Sequence, residues 1–179
     1  GRTEITTKHP LTGGIGTGNT GGVWGAVLKH AGFDMIVVRG AAEKPVYLWI
    51  NDDAVEIRDA RHLWGKETRT TSDMLREQLS AQTSVMAIGP AGENLVRYAF
   101  PMNDDYHVAG RCGAGAVMGS KRLKAIAVRG TGFPTAARPE EFQRTVREAR
   151  QHLMTADKAW WNAEGEQIGE PGRRGGALS

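Results

Sequence analysis

Gly25–Gly40 reads GAVLKHAGFDMIVVRG, and ninety positions later, without a gap, Gly115–Gly130 reads GAVMGSKRLKAIAVRG. The GAV opening, one Ile and the VRG ending are identical, which is the mark of a duplicated supersecondary unit. A glycine-rich stretch precedes each copy, Gly13–Gly22 (GGIGTGNTGG) and Gly110–Gly115 (GRCGAG). Glycine lets backbone N–H groups approach a ligand closely, and a following helix N-terminus adds partial positive charge. The repeat therefore predicts two anion-ready loops, suited to two phosphates or to one ligand of two-fold character.

Around this repeat the chain predicts short elements. Thr3–Lys8 reads as a strand, Gly13–Gly22 as a loop that Thr20 could cap into a helix over Gly22–His30, and Met35–Val38 as an apolar strand. Val46–Ile50 and Val55–Arg58 flank an Asn51-Asp52-Asp53 turn and read as a hairpin. A helix is expected over Thr71–Leu79, strands over Val85–Ile88, Leu95–Phe100 and Ala125–Val128, a second loop-to-helix step over Cys112–Ser120, and a longer helix from Pro139 to Met154. Hairpin-length gaps among mixed elements favour an α+β fold with internally duplicated mixed β-sheets and short helices over a parallel doubly wound one. Residues 1–133 are expected to form one domain, and 134–179 a helix and a basic, glycine-rich tail.

With 179 residues the chain can bury one good core but not two generous ones. The net charge of +3 is spread among acids rather than gathered in a stripe, which argues against nucleic acid. A single cysteine, Cys112, excludes a disulfide framework or a four-thiolate cluster built from these residues alone. No apolar run approaches membrane-spanning length, and a reducing cytoplasm fits this cysteine usage. The chain opens on Gly1 within a strand pattern, so it reads as a piece of a longer polypeptide.

Gly16, Gly18 and Gly21 spell GxGxxG, the dinucleotide fingerprint. The polar strand upstream, Pro10, and Arg39 where a ribose-binding acid belongs all speak against that reading. The cations near the two loops are Arg2, His107 and Arg111, and arginine's planar fork suits phosphate or a pterin edge. Cys112 reads as a small packing residue, Asp104-Asp105 as a hydrated loop pair, and Trp24, Trp49 and Trp64 as core or interface anchors.

Several longer blocks narrow the reading: PLTG (Pro10–Gly13), GNTGG (Gly18–Gly22), AEKPVYLWI (Ala42–Ile50), EIRDA (Glu56–Ala60), HLWGK (His62–Lys66), AIGPAGENLVRYA (Ala87–Ala99), MND (Met102–Asp104), GAVMGSK (Gly115–Lys121) and LKAIAV (Leu123–Val128). Collinear from about Arg2 to Gly130, they resemble the N-terminal domain of the tungsten-containing aldehyde:ferredoxin oxidoreductase family. The resemblance implies a base of mixed sheets supporting a tungsten bis-pyranopterin cofactor, with a magnesium ion bridging the pterin phosphates. Matched motif by motif, the backbone carbonyls of Asn19 and Val108 would hold that magnesium, and Arg2, Asn19, Thr20, Gly21, His107, Val108, Ala109, Gly110 and Arg111 would line the cofactor. His107 stands where relatives often carry arginine, and Cys112 where they often carry glycine.

The implied activity is oxidation of an aldehyde to a carboxylic acid, with electrons leaving through a 4Fe-4S cluster to ferredoxin. Cluster cysteines, the acid and histidine near the metal, and the substrate channel match nothing here, so no catalytic residue is expected in this chain and the remaining domains of the polypeptide are implied partners. A homodimer is compatible with the resemblance. A stand-alone phosphate or NADP-binding module, or an inactive truncated product, is the alternative reading.

Overall fold

A computed structural model describes residues 2–163, with side chains through Met154. The glycine-rich tail expected from the sequence, residues 164–179, lies outside the described residues. The chain divides into two compact units at Pro134/Thr135.

In the first unit, β1 (Thr3–Lys8) and β2 (Ile15–Thr20) form an antiparallel pair, and α1 (Trp24–His30) follows. Next come β3 (Val46–Asn51), β4 (Ala54–Asp59), α2 (Thr68–Gln78), β5 (Ser84–Ala87), the one-turn α3 (Pro90–Glu93), β6 (Met102–Asn103), β7 (His107–Val108), α4 (Ala114–Ser120) and β8 (Leu123–Arg129). Six of these strands form one mixed sheet in the order β4-β3-β8-β5-β6-β7, in which β3 and β8 run parallel and every other pair antiparallel. The α+β class and mixed sheets expected from the sequence are what the chain adopts.

Period-2 alternation divides the sheet's side chains between two cores. Ile50, Met86, Ile126 and Val128 pack with Trp24 and Leu28 of α1 and Met118 of α4. On the opposite face Tyr47, Trp49, Val85, Ala125 and Ala127 pack with Leu75 of α2 and Leu63. Trp24 also donates its indole N–H to the carbonyl of Ile126 at 3.1 Å, which fixes α1 on the sheet. Trp24 and Trp49 are thus core anchors, whereas Trp64 is only half buried.

Lys124 interrupts this alternation. The β3–β8 register moves from Val46↔Leu123 to Tyr47↔Ala125, so Lys124 opposes no residue of β3 and forms a bulge. A bulge re-aims its side chain. Here the ammonium is fully buried and donates to the carbonyls of Lys66 and Ile88, each at 2.7 Å, and to the Glu93 carboxylate, whose other oxygen accepts from Gly65 N at 2.8 Å. Burial pushes the Lys124 pKa down, and the hydrogen bond and charge of Glu93 oppose the shift.

The repeat is realised in its helices but not in its strands. α1 and α4 occupy matching positions, and both GAV glycines lie under tight contacts: a methyl on Gly115 would sit 2.7 Å from the carbonyl carbon of Ala99, and one on Gly25 would overlap the Thr3 hydroxyl. Met35–Val38, expected as the counterpart of β8, forms no strand. No strand among the described residues pairs with it, and Met35 and Val37 are exposed, so neither ladder hydrogen bonds nor burial favours the extended state.

Three further expectations are revised. Leu95–Phe100 is a chain of turns rather than a strand: Leu95 takes a left-handed φ of 59°, and Leu95 N, Val96 N and Ala99 N donate to Gly92, Ala91 and Val96 carbonyls. Gly13–Gly22 is a loop only in its first part, because Ile15–Thr20 pairs fully with β1. α2 begins at Thr68, one turn before the expected Thr71.

The second unit contains α5 (Pro139–Ala163), opened by Pro139 with Glu140 and Glu141 in its first turn, where acids complement the helix dipole. No described helix is long and apolar enough to cross a membrane.

Candidate cofactor-binding surface

β2 carries glycine at alternate positions because another backbone lies against it. A methyl on Gly18 would come within 2.6 Å of the Gly110 carbonyl oxygen and 2.8 Å of Cys112 Sγ. One on Gly21 would lie 3.3 Å from His107 Nδ1, and one on Gly22 would overlap the Asp104 carboxylate. Residues 18–22 and 104–112, far apart in sequence, are therefore side by side.

The residues singled out from the sequence take unequal places on this surface. Arg2 is exposed and donates from Nη1 to Asn19 Oδ1 at 3.3 Å. Asn19, Val108 and Arg111 are exposed, while Gly21, His107 and Gly110 are half buried. Among the described residues neither Arg2 nor Arg111 has a carboxylate partner, so two cations stand unpaired beside close-packed glycine backbone. Space beside Gly110 is open, since a methyl there would meet nothing within 4 Å. Thr20 and Ala109 point the other way: Ala109 is fully buried, and the buried Thr20 hydroxyl donates to Asn103 Oδ1 at 2.8 Å. Cys112 is buried beneath Gly18 with Sγ 3.7 Å from the Ala109 carbonyl, which makes it a packing residue.

Two sequence expectations change here. Gly16 and Gly18 of the GxGxxG pattern lie within an antiparallel strand, not in a turn between a parallel strand and its helix, so the dinucleotide fingerprint lacks its structural context. The N-terminus of α1 is also already occupied: Asp104 Oδ2 accepts from Val23 N at 2.6 Å and from Trp24 N at 3.1 Å. An internal carboxylate thus satisfies the first free donors of α1.

Asp104 and Asp105 are consequently not the hydrated pair expected. Asp104 Oδ1 accepts from Ser84 Oγ at 2.7 Å, and Asp105 accepts from Arg76 Nη1 at 2.9 and 3.1 Å. Asp104, Asp105 and Arg111 all have left-handed backbone, with φ of 50°, 67° and 70°. Non-glycine residues held there cost about 1–3 kcal/mol each, and such strain clusters at ligand sites. Asn103, buried and unnoticed in the sequence, donates from Nδ2 to the Gly21 carbonyl at 3.0 Å. Its only sequence signal is its place in the MND block. No group of three or more His, Cys, Asp or Glu among the described residues could hold a metal ion.

Residues 1–130 match the family described as aldehyde ferredoxin oxidoreductase, N-terminal domain. The chain belongs to that family. It is 53% identical to the tungsten-containing aldehyde ferredoxin oxidoreductase of Pyrococcus furiosus over 83% of this chain and 25% of the relative. It is also 36% identical to the aliphatic sulfonate oxidoreductase, WOR-like subunit, of the same organism, over 92% of this chain and 29% of that protein. Among solved structures it is similar to the active site complex BamBC of benzoyl coenzyme A reductase in complex with 1,5-dienoyl-CoA, with a TM-score of 0.83 and 42% identity over 88% of this chain and 24% of that one. The chain spans about a quarter of the length of these relatives. All three are similar to this chain over the same domain, and their names differ in substrate.

Proposed function

We propose that residues 2–130 form the base of a tungsten bis-pyranopterin site in an enzyme that oxidises aldehydes to carboxylic acids and passes the electrons to ferredoxin. The reading is supported by the juxtaposition of residues 18–22 with 107–112, the segments that carry Asn19, Val108 and Arg111, and by the bond of Arg2 to Asn19. The fit is chemical: unpaired guanidiniums and open space beside Gly110 suit phosphate oxygens.

In this reading Arg2 and Arg111 would bind the anionic edges, and the backbone carbonyls of Asn19 and Val108 would hold a magnesium ion. Such hard oxygen ligands suit that ion. Gly21, His107 and Gly110 supply close backbone approach, while Ala109 and Thr20, both buried and the latter bonded to Asn103, hold that backbone in place from beneath. His107 offers fewer donors than an arginine, so the contact there is weaker. When bound, the tungsten cofactor supplies the two-electron chemistry, and this chain's share is binding and orientation. The 4Fe-4S cluster and the substrate channel belong to the rest of the polypeptide, in the cytoplasm.

The test is elemental analysis by plasma mass spectrometry on the polypeptide as its natural host makes it. Tungsten with about four irons per chain is expected, as one four-iron cluster requires. Absence of tungsten would overturn the assignment.

A further inference from the structure

Asn103 and Asp104 are the polar groups that tie one half of the surface to the other. Asn103 is 1% exposed, and its amide is spent on the two residues after Asn19: Oδ1 accepts from Thr20 Oγ1 at 2.8 Å, and Nδ2 donates to the Gly21 carbonyl at 3.0 Å. Asp104 continues along the same segment, accepting from Val23 N and Trp24 N, while Ser84 of β5 holds its second oxygen. Asn103 Nδ2 also lies 3.1 Å from Asp104 Oδ2, so the two side chains form one network. Gly22, with φ of 82°, has no side chain to keep the carboxylate away.

This network is connected directly to the second half. In the β6–β7 hairpin Asn103 pairs with His107 and Met102 with Val108. One buried amide thus bonds to Thr20, the neighbour of Asn19, and belongs to the residue directly across from His107, the neighbour of Val108.

Resting on the cofactor reading above, we propose that Asn103 and Asp104 are positioning residues that set the spacing between the Asn19 and Val108 halves of the site. Neither touches the cofactor. A buried amide, and a carboxylate with both oxygens bonded, hold their partners to one geometry, and a backbone-ligated ion is sensitive to that geometry. Loss of the network lets the two halves move apart while the core on both sheet faces remains packed.

The experiment uses the complete holoenzyme and compares Asn103→Ala with Asp105→Asn, which breaks the outward pair with Arg76 in the same hairpin. Readouts are tungsten and iron per chain during exposure to a chelator, and the electron paramagnetic resonance signals of W(V) and of the iron–sulfur cluster. Expected for Asn103→Ala is loss of tungsten about tenfold faster than wild type, the scale found when groups supporting a metal site are removed, with a shifted W(V) signal and unchanged iron. Asp105→Asn should match wild type in both tungsten readouts. If Asn103→Ala does not accumulate, Thr20→Val, which removes the hydroxyl bonded to Asn103 Oδ1, should shift the same signal to a smaller extent. Wild-type tungsten retention and an unchanged W(V) signal in Asn103→Ala, or in Thr20→Val where that variant stands in, would overturn the proposal. So would an equal change in Asp105→Asn. A wild-type enzyme without tungsten would instead overturn the cofactor reading itself.

Discussion

Replacing Lys124 by Met removes an ammonium that has three acceptors and no contact with water. The carbonyls of Lys66 and Ile88 lose a donor, and Glu93, nearly as buried, keeps only Gly65 N. Breaking one side of a buried pair costs about 3–5 kcal/mol, chiefly because the surviving charge is uncompensated. Glu93→Gln is expected to cost a similar amount, since it leaves the ammonium with neutral acceptors. The pair itself is not a large net stabiliser, because burial already pulls the Lys124 pKa down against the opposing pull of Glu93. The double variant Lys124→Met/Glu93→Gln should therefore be less destabilised than the sum of the singles, by about 2 kcal/mol or more. For a unit of this size each single change lowers Tm by roughly 10–20 °C. Tryptophan emission during thermal and urea unfolding of the purified protein is a suitable assay, since Trp24 and Trp49 sit in the two cores. Additive single effects, or singles costing under about 0.5 kcal/mol, would refute the reasoning.

Other expectations come from the packing and the turns. Gly119→Ala places a methyl into the carbonyl of Gly92, backbone against backbone, so α3 and α4 must separate; a loss of about 1–3 kcal/mol is expected in urea unfolding, and an unchanged midpoint would show that the helices adapt freely. The backbone N–H of Thr131, and next its hydroxyl, hold the Asp52 carboxyl below its ordinary pKa of 3.8. A lowered folded pKa stabilises above the unfolded value and is lost as pH falls through the folded one, so Asp52→Asn should weaken the protein at pH 6 and flatten its stability change below about pH 4; equal acid sensitivity in both proteins would contradict this. Cys112 should resist aqueous thiol reagents in the folded protein and react on unfolding, and rapid native labelling would show that the 109–112 segment opens.

Much of the candidate surface was legible because its two segments are written in local chemistry. The glycine clusters, the flanking Arg2 and Arg111, and the motif blocks name the two segments that the fold brings together. Two features misled. Alternating glycines in Gly16–Gly18 look like a loop because glycine is rare in strands, yet they allow β2 to lie against residues 109–112. Likewise the IVV run after Met35 is as apolar as the IAV of β8, but only β8 has strands on both sides.

Sequence alone determined the α+β class, the repeated helix starts and the family, since these depend on periodicity, turn residues and long motif blocks. Tertiary structure decided what each polar group in those blocks does. Asp104 became the cap of α1 rather than a hydrated loop acid, Asn103 the link between the halves, and Lys124 a bulged cation facing Glu93. The reason is physical: hydrophobic periodicity is a property of neighbours along the chain, whereas the partner of a buried donor or acceptor lies where the fold brings it, here about 80 residues away for Asp104 and Val23 and about 30 for Lys124 and Glu93.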